Sequence, residues 1–276
     1  MRARNPNVRN VIGAIIGDIA GSVYEFDNYR GKDFVMFDDY DGGRCFATDD
    51  SIMTLAVAKA LLDADENGEG LAELTAYNMR KVGRPYPYCG YGGRFYDWMY
   101  DDSMGPYNSF GNGSAMRVSP VAYFARNLTQ AEEFAEQTAA VTHNHPEGIK
   151  GAKVTAGLVY LALNGCNKNA LRAYAEESYD LNFTMDEIRP TYRFNETCMD
   201  TVPQAIVAFL ESKDFEDAIR NAISIGGDSD TLAAITGGIA GAFYGVPAEL
   251  HDKATTFLDE RLSGILRAVE RSYSAI

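Results

Sequence analysis

The chain has 276 residues, 46% of them apolar, and 39 acidic against 25 basic side chains leave a net charge of −14. That length and apolar share suffice for a large buried core in one domain spanning residues 1–276. The acidic surplus, with no basic patch set against it, excludes a nucleic-acid phosphate backbone and an anionic membrane surface as direct partners.

At the start, Arg2, Arg4 and Arg9 precede the apolar run Val11 to Ile16, a faint likeness to a signal peptide that Asp18 interrupts too early. No stretch approaches the ~20 apolar residues of a membrane span. Cys45, Cys89, Cys166 and Cys198 lie far apart without a CxxC pair, which points to reduced thiols and a cytoplasmic protein.

A first helix is expected over 11–25, with Gly13, Gly17 and Gly21 four residues apart, and seven-residue spacing puts Asp18 and Glu25 on one face of it. Glycine inside a helix costs ~1 kcal/mol against alanine, so the run signals backbones packed closely in a crowded interior. Ile52, Leu55, Ala56 and Leu62 recur at helical spacing. From Val82 to Gly113 the chain is dense in Gly, Pro, Tyr and Asp and too long for a mere connector, so a ligand-binding loop region is expected there.

Further helices are expected over 130–141, 148–163, 168–178, 197–212, 231–244 and 248–271, with another around Phe215, Ile219 and Ile223. His143 and His145, two of the three histidines, stand before Pro146, which is read as ending the helix before them. Gly237, Gly238 and Gly241 repeat the small-residue pattern. Alternating strand patterns are scarce, so the fold class is all-α.

Two matching phrases carry the strongest chemical signal: Thr48-Asp49-Asp50-Ser51 before one helix and Gly227-Asp228-Ser229-Asp230-Thr231 before another. Asp, Ser and Thr serve as N-caps, where they satisfy orphan backbone N–H groups. One cap needs only one side chain, however, and each phrase supplies two carboxylates that repel unless a cation lies between them. Carboxylates with hydroxyls, and no nearby Cys or His cluster, suit magnesium or manganese, and four aspartates can hold two such ions.

Five phrases together resemble the ADP-ribosylglycohydrolases: Gly13 to Asp18, Thr48 to Ser51, Gly111-Asn112-Gly113-Ser114-Ala115-Met116-Arg117, Thr142-His143-Asn144-His145-Pro146, and Gly226 to Thr231. The resemblance implies a compact helical fold with a binuclear magnesium centre held by Thr48, Asp49, Asp50, Asp228, Asp230 and Thr231. It implies further that Glu25 approaches the metals or the reacting sugar. The Gly90-Tyr91-Gly92-Gly93 and Ser109-Phe110-Gly111-Asn112-Gly113-Ser114 loops would embrace the diphosphate and adenosine, with Phe110 offering an aromatic face to adenine. His143 would position the substrate beside its ribose and phosphates, and Asp18 is grouped with the substrate-binding residues.

The implied reaction is hydrolysis at the anomeric carbon of the distal ribose of an ADP-ribose conjugate, through an oxocarbenium-like transition state. Glu25, Asp49 and Asp50 are the candidate proton acceptors. Arginine, serine and a small molecule all stand as leaving groups: Glu25 resembles the serine branch, Thr142 to Pro146 the arginine and nitrogenase-regulating branch. Two rival functions are a non-enzymatic, crystallin-like relative and a magnesium-dependent nucleotide phosphohydrolase. The four aspartates argue against the first, and product analysis separates the second.

Overall fold

The computed structural model of the protein describes residues 11–37 and 45–274, so Arg2, Arg4 and Arg9 lie outside the described residues. Fifteen helices are present among the described residues. The first eight are α1 (Ile12–Gly21), α2 (Asp49–Asp63), α3 (Leu71–Gly83), α4 (Gly93–Tyr100), α5 (Gly113–Met116), α6 (Val121–Phe124), α7 (Leu128–Ala140) and α8 (Pro146–Leu163). There follow α9 (Lys168–Glu176), α10 (Met185–Ile188), α11 (Cys198–Glu211), α12 (Phe215–Ile223), α13 (Ser229–Tyr244), α14 (Ala248–Thr255) and α15 (Glu260–Ser274). The only pairing of strand type among them is a single bridge between Gly111 and Thr197.

Local chemistry starts most of these helices. Thr48, Asn127, Asn167 and Asp214 each accept a backbone N–H from the first turn they precede, and Thr184 forms a full capping box with Glu187. Pro146 begins α8 rather than ending the preceding helix, which has already stopped at Ala140. The reason is that a proline lacks the N–H that a first-turn residue would leave unpaired anyway. The expected helix over 248–271 is two helices, because Asp259 intervenes: its Oδ1 accepts the Leu262 N–H at 2.9 Å and so caps a new start. The stretch from 82 to 113 likewise contains a helix of its own, α4.

α13 is the central element, ringed by α1, α8, α11 and α12 and buried from Ser229 to Ala242. α1 is buried along its whole length, so both helices are enclosed on every side and show no solvent face. They meet backbone against backbone. A Cβ on Gly17 would overlap Ala233 O, one on Gly13 would overlap Gly237 O, and one on Gly21 would stand 2.5 Å from Asp230 Cα. A second, smaller apolar cluster joins α2, α3, α7 and α8 through residues such as Val57, Leu71, Phe134 and Ala156. No helix among the described residues is long and apolar enough to cross a membrane.

Because the α1–α13 contact has no room for a methyl group, Gly17→Ala is expected to destabilise by about 3 kcal/mol or more. Gly264→Ala on α15, whose new Cβ would meet nothing nearer than 3.9 Å, is expected to raise stability by up to ~1 kcal/mol through helix propensity. Thermal unfolding of both variants checks the contrast, and a tolerated Gly17→Ala would refute the packing account.

Candidate active site

The close approach of α1 and α13 brings the two acidic phrases together. Asp228 stands at the N-cap of α13, Thr48 at the N-cap of α2, and Asp18 near the end of α1 lies between the two starts. Asp18 is wholly buried, and its carboxylate accepts from the Thr48 hydroxyl at 2.6 Å and from the Thr48 and Ser51 N–H groups at 3.0 Å each. The Ser51 hydroxyl donates to it as well. Four accepted bonds brace the first turn of α2 from below. Asp18 therefore stands behind the cleft and not among the groups that line it, contrary to the expectation of a substrate contact.

Above this brace the carboxylates crowd. Oxygens of Asp18, Asp50 and Asp230 lie within 4.8 Å of one another, and so do those of Glu25, Asp228 and Asp230. Among the described residues no basic side chain forms an ion pair with any of them, and Asp50 Oδ1 is buried without a hydrogen-bond partner. Its other oxygen accepts from the Thr231 hydroxyl at 3.3 Å. Asp49 lines the same cleft, half-buried, outside those two triplets. Thr48 keeps its hydroxyl proton on Asp18 and one lone pair on the Asp50 N–H.

Burial is the first cause that lifts these acids. It pushes Asp18 up to about 6 against its four hydrogen bonds. It pushes Glu25 up to about 7, helped by the neighbouring charges of Asp228, Asp18 and Glu196. Asp49, Asp50 and Asp230 rise well above the ordinary carboxylate range, by burial first and then by neighbouring charges, led by Asp18 for Asp49 and Asp50 and by Asp228 for Asp230. Buried like charges of this kind call for a counter-cation. A buried orphan oxygen and two oxygen-only triplets suit a hard divalent metal ion.

Glu25 comes to this centre from a turn, since α1 has ended at Gly21, so it does not share a helix face with Asp18. The acidic groups form one side of a cleft of about 840 Å3, open space at its mouth included. Gly92, Gly93, Ser109, Asn112, Gly113 and His143 line other parts of it. Gly92 and Gly93 have nothing within 4 Å of where a Cβ would stand, so their bareness serves the open space. Asn112 acts on the acids: its side-chain amide donates to Asp228 Oδ2 at 2.6 Å and to Thr201 Oγ1 at 3.1 Å.

Two expected contacts are not among the groups that line the cleft. The Ser114 hydroxyl is buried and donates to Gly148 O at 2.7 Å, tying α5 to α8. Phe110 is 44% exposed and packs edge-on to His145 with 5.3 Å between ring centroids, outside the cleft wall.

The sequence profile described as ADP-ribosylglycohydrolase matches residues 8–273. The chain belongs to the ADP-ribosylglycohydrolase family. Its relatives include the ADP-ribosylarginine hydrolase Tri1 of Pseudomonas putida, 29% identical over 267 residues that cover 86% of this chain and 70% of that one. They also include the ADP-ribosylhydrolase ARH3 of Mus musculus, 27% identical over 308 residues covering 85% and 82%. A solved ADP-ribosylglycohydrolase-related protein complex aligns with a TM-score of 0.71 at 25% identity over 95% of each chain. The protein is accordingly a glycohydrolase, and its acidic centre is one that can hold metal.

Four polar or charged groups that line the cleft of this glycohydrolase were not singled out from the sequence: Arg94, Tyr107, Arg117 and Glu196. Arg117 closes a phrase that carries the family resemblance, which was a usable signal. Glu196 had none, being a lone acid in a loop that only the Gly111–Thr197 bridge places beside the cleft.

The acid centre makes stability depend on pH in a defined direction. Asp18 moves from 3.8 to about 6 and Glu25 from 4.5 to about 7 on folding, so the folded state holds these protons more tightly than the unfolded chain. Their contribution is present below about pH 4 and is lost as pH rises through 6 to 7. Metal-free protein is therefore expected to melt at a lower temperature at about pH 8 than at about pH 5, and added divalent cation should restore more at the higher pH. Calorimetry checks this, and equal stabilisation at both pH values would count against a buried acidic metal centre.

Proposed function

We propose that the protein is a magnesium-dependent hydrolase that cleaves the glycosidic bond at the distal ribose of an ADP-ribose conjugate and releases ADP-ribose, with residues 1–276 acting as one domain. The observation that carries this reading is the convergence of Asp50, Asp228, Asp230 and Glu25 on one side of a cleft whose other parts are glycine-rich loops and His143. The ligands of a pair of magnesium ions would be Asp49, Asp50, Asp228, Asp230 and Thr231, with the remaining lone pair of Thr48. Ions held there would supply charge neutralisation and coordination sites for sugar hydroxyls and water.

This chain's own groups divide the remaining work. Gly92, Gly93 and Gly113 give the diphosphate a wall without side chains, where backbone N–H groups can approach phosphate oxygens, and Ser109 adds a hydroxyl beside it. Asn112 holds Asp228 in its orientation, as an outer-shell partner does. Glu25 accepts the proton of the attacking water. It reaches the cleft from a turn, and burial and Asp228 lift it to about 7, near the pH at which general bases work best. The water oxygen bonds to the anomeric carbon, the bond to the leaving group breaks, and the leaving atom takes a proton.

The substrate class is an ADP-ribosylated protein or small conjugate. The name of the Pseudomonas putida relative puts an arginine linkage first among those to be tested. Arginine-linked and serine-linked ADP-ribosyl peptides offered side by side should show which linkage releases free ADP-ribose with magnesium, and the release should stop with EDTA. AMP and ribose phosphate as products would show a phosphohydrolase instead.

Asp228→Asn is expected to lower turnover at least ~100-fold with the fold intact, and Asn112→Ala ~10–100-fold through the ligand it orients. Steady-state kinetics with circular dichroism as a folding control measure both. Near-normal turnover in Asp228→Asn would remove the proposed centre.

A further inference from the structure

Beside the glycines of the cleft wall runs a short polar chain, Arg117, Thr142 and His143, whose hydrogen bonds the proposed chemistry does not use. Arg117 is fully buried and has no carboxylate partner among the described residues. Its Nη2 donates to Thr142 Oγ1 at 2.8 Å, and Thr142 Oγ1 lies 2.7 Å from His143 Nδ1. Thr142 is completely buried and His143 nearly so.

A hydroxyl has one proton and two lone pairs. The guanidinium can only donate, so it occupies a lone pair of Thr142 Oγ1. The hydroxyl proton then needs an acceptor, and among the described residues the only neighbour in hydrogen-bond reach that can accept it is His143 Nδ1. If Nδ1 carried a proton instead, the Thr142 hydroxyl proton would be stranded in a dry site, and a buried donor without a partner is disfavoured. The chain of bonds thus has one consistent direction.

The other ring nitrogen faces the cleft wall. His143 Nε2 lies 3.1 Å from where a Cβ on Gly113 would stand and 3.4 Å from one on Gly111, and both glycines line the cleft. Nε2 has no hydrogen-bond partner within the protein among the described residues. We propose that Arg117 and Thr142 are positioning residues that lock His143 in the Nε2–H tautomer, so that it presents a fixed neutral donor through the glycine gap to a ligand oxygen. Burial first, and the Arg117 charge second, also hold His143 well below its ordinary pKa, which suits a standing donor and not a proton shuttle. The ligand assigned to that donor rests on the proposed ADP-ribosyl chemistry; the tautomer does not.

The test reads the imidazole directly. Nitrogen NMR of the whole protein, with His143 assigned, is expected to show protonated Nε2 and bare Nδ1 in the wild type and in Thr142→Ser. Thr142→Val, which keeps the shape and removes the relay, is expected to populate the other tautomer and to weaken ADP-ribose binding ~3–10-fold by calorimetry. Arg117→Met should mix the tautomers by freeing the hydroxyl. A wild-type Nδ1–H tautomer, or a Thr142→Val protein with unchanged tautomer, would overturn the relay. An altered tautomer with unchanged ADP-ribose affinity would overturn its positioning role. A wild type that carries Nε2–H but binds no ADP-ribose would sink the proposed substrate while upholding the lock.

Discussion

The site depends on two helices touching where no side chain intervenes. α1 and α13 meet at Gly13, Gly17, Gly21 and Gly237, and at that range the end of one helix stands directly against the start of the other. Separation by the width of an ordinary side chain would leave Asp18 far from the start of α13 and the carboxylates dispersed. Glycine is poor for isolated helices, and its presence here is explained by what the contact makes possible: a dry place where several acids are held together.

Holding them is itself a problem, because buried like charges repel. Asp18 answers part of it by giving all its bonds to the first turn of α2, converting one acid into a brace for its neighbours. Asn112 answers another part by donating to Asp228. The unpaired Asp50 oxygen and the elevated pKa values mark what internal bonds leave unsolved, and a divalent cation is the group that would complete the balance.

The cleft thus has two electrical characters. One side is acidic and asks for cations. Another carries Arg117 and a histidine kept neutral, with glycines clearing the approach between them. A substrate that presents ribose hydroxyls at one end and a diphosphate next to them matches this polarity, and the ADP-ribosyl group of the proposed substrate is built that way. Both characters come from burial more than from net composition, since the same side chains in water would each be screened and ordinary.

Much of this was legible in the residues. Doubled carboxylates at two helix starts gave the metal-binding idea, since a single cap never needs two. Apolar spacing yielded the all-helical class and most helices to within a few residues, and the combination of five phrases carried the family. The errors have local causes: Asp259 caps a helix inside an unbroken apolar pattern, and Pro146 opens a helix as readily as it closes one. Linear order also cannot say which side chains of neighbouring segments line a shared space, so Phe110 and Ser114 read as cleft residues while Arg117 and Glu196 carry no separate mark. Residue type and spacing determine which segments coil and which carry charge, because those are properties of neighbours along the chain. Which charges share a space, which acid becomes a brace, and which nitrogen of His143 is bare were decided only by packing, because each depends on atoms brought near from more than twenty residues away.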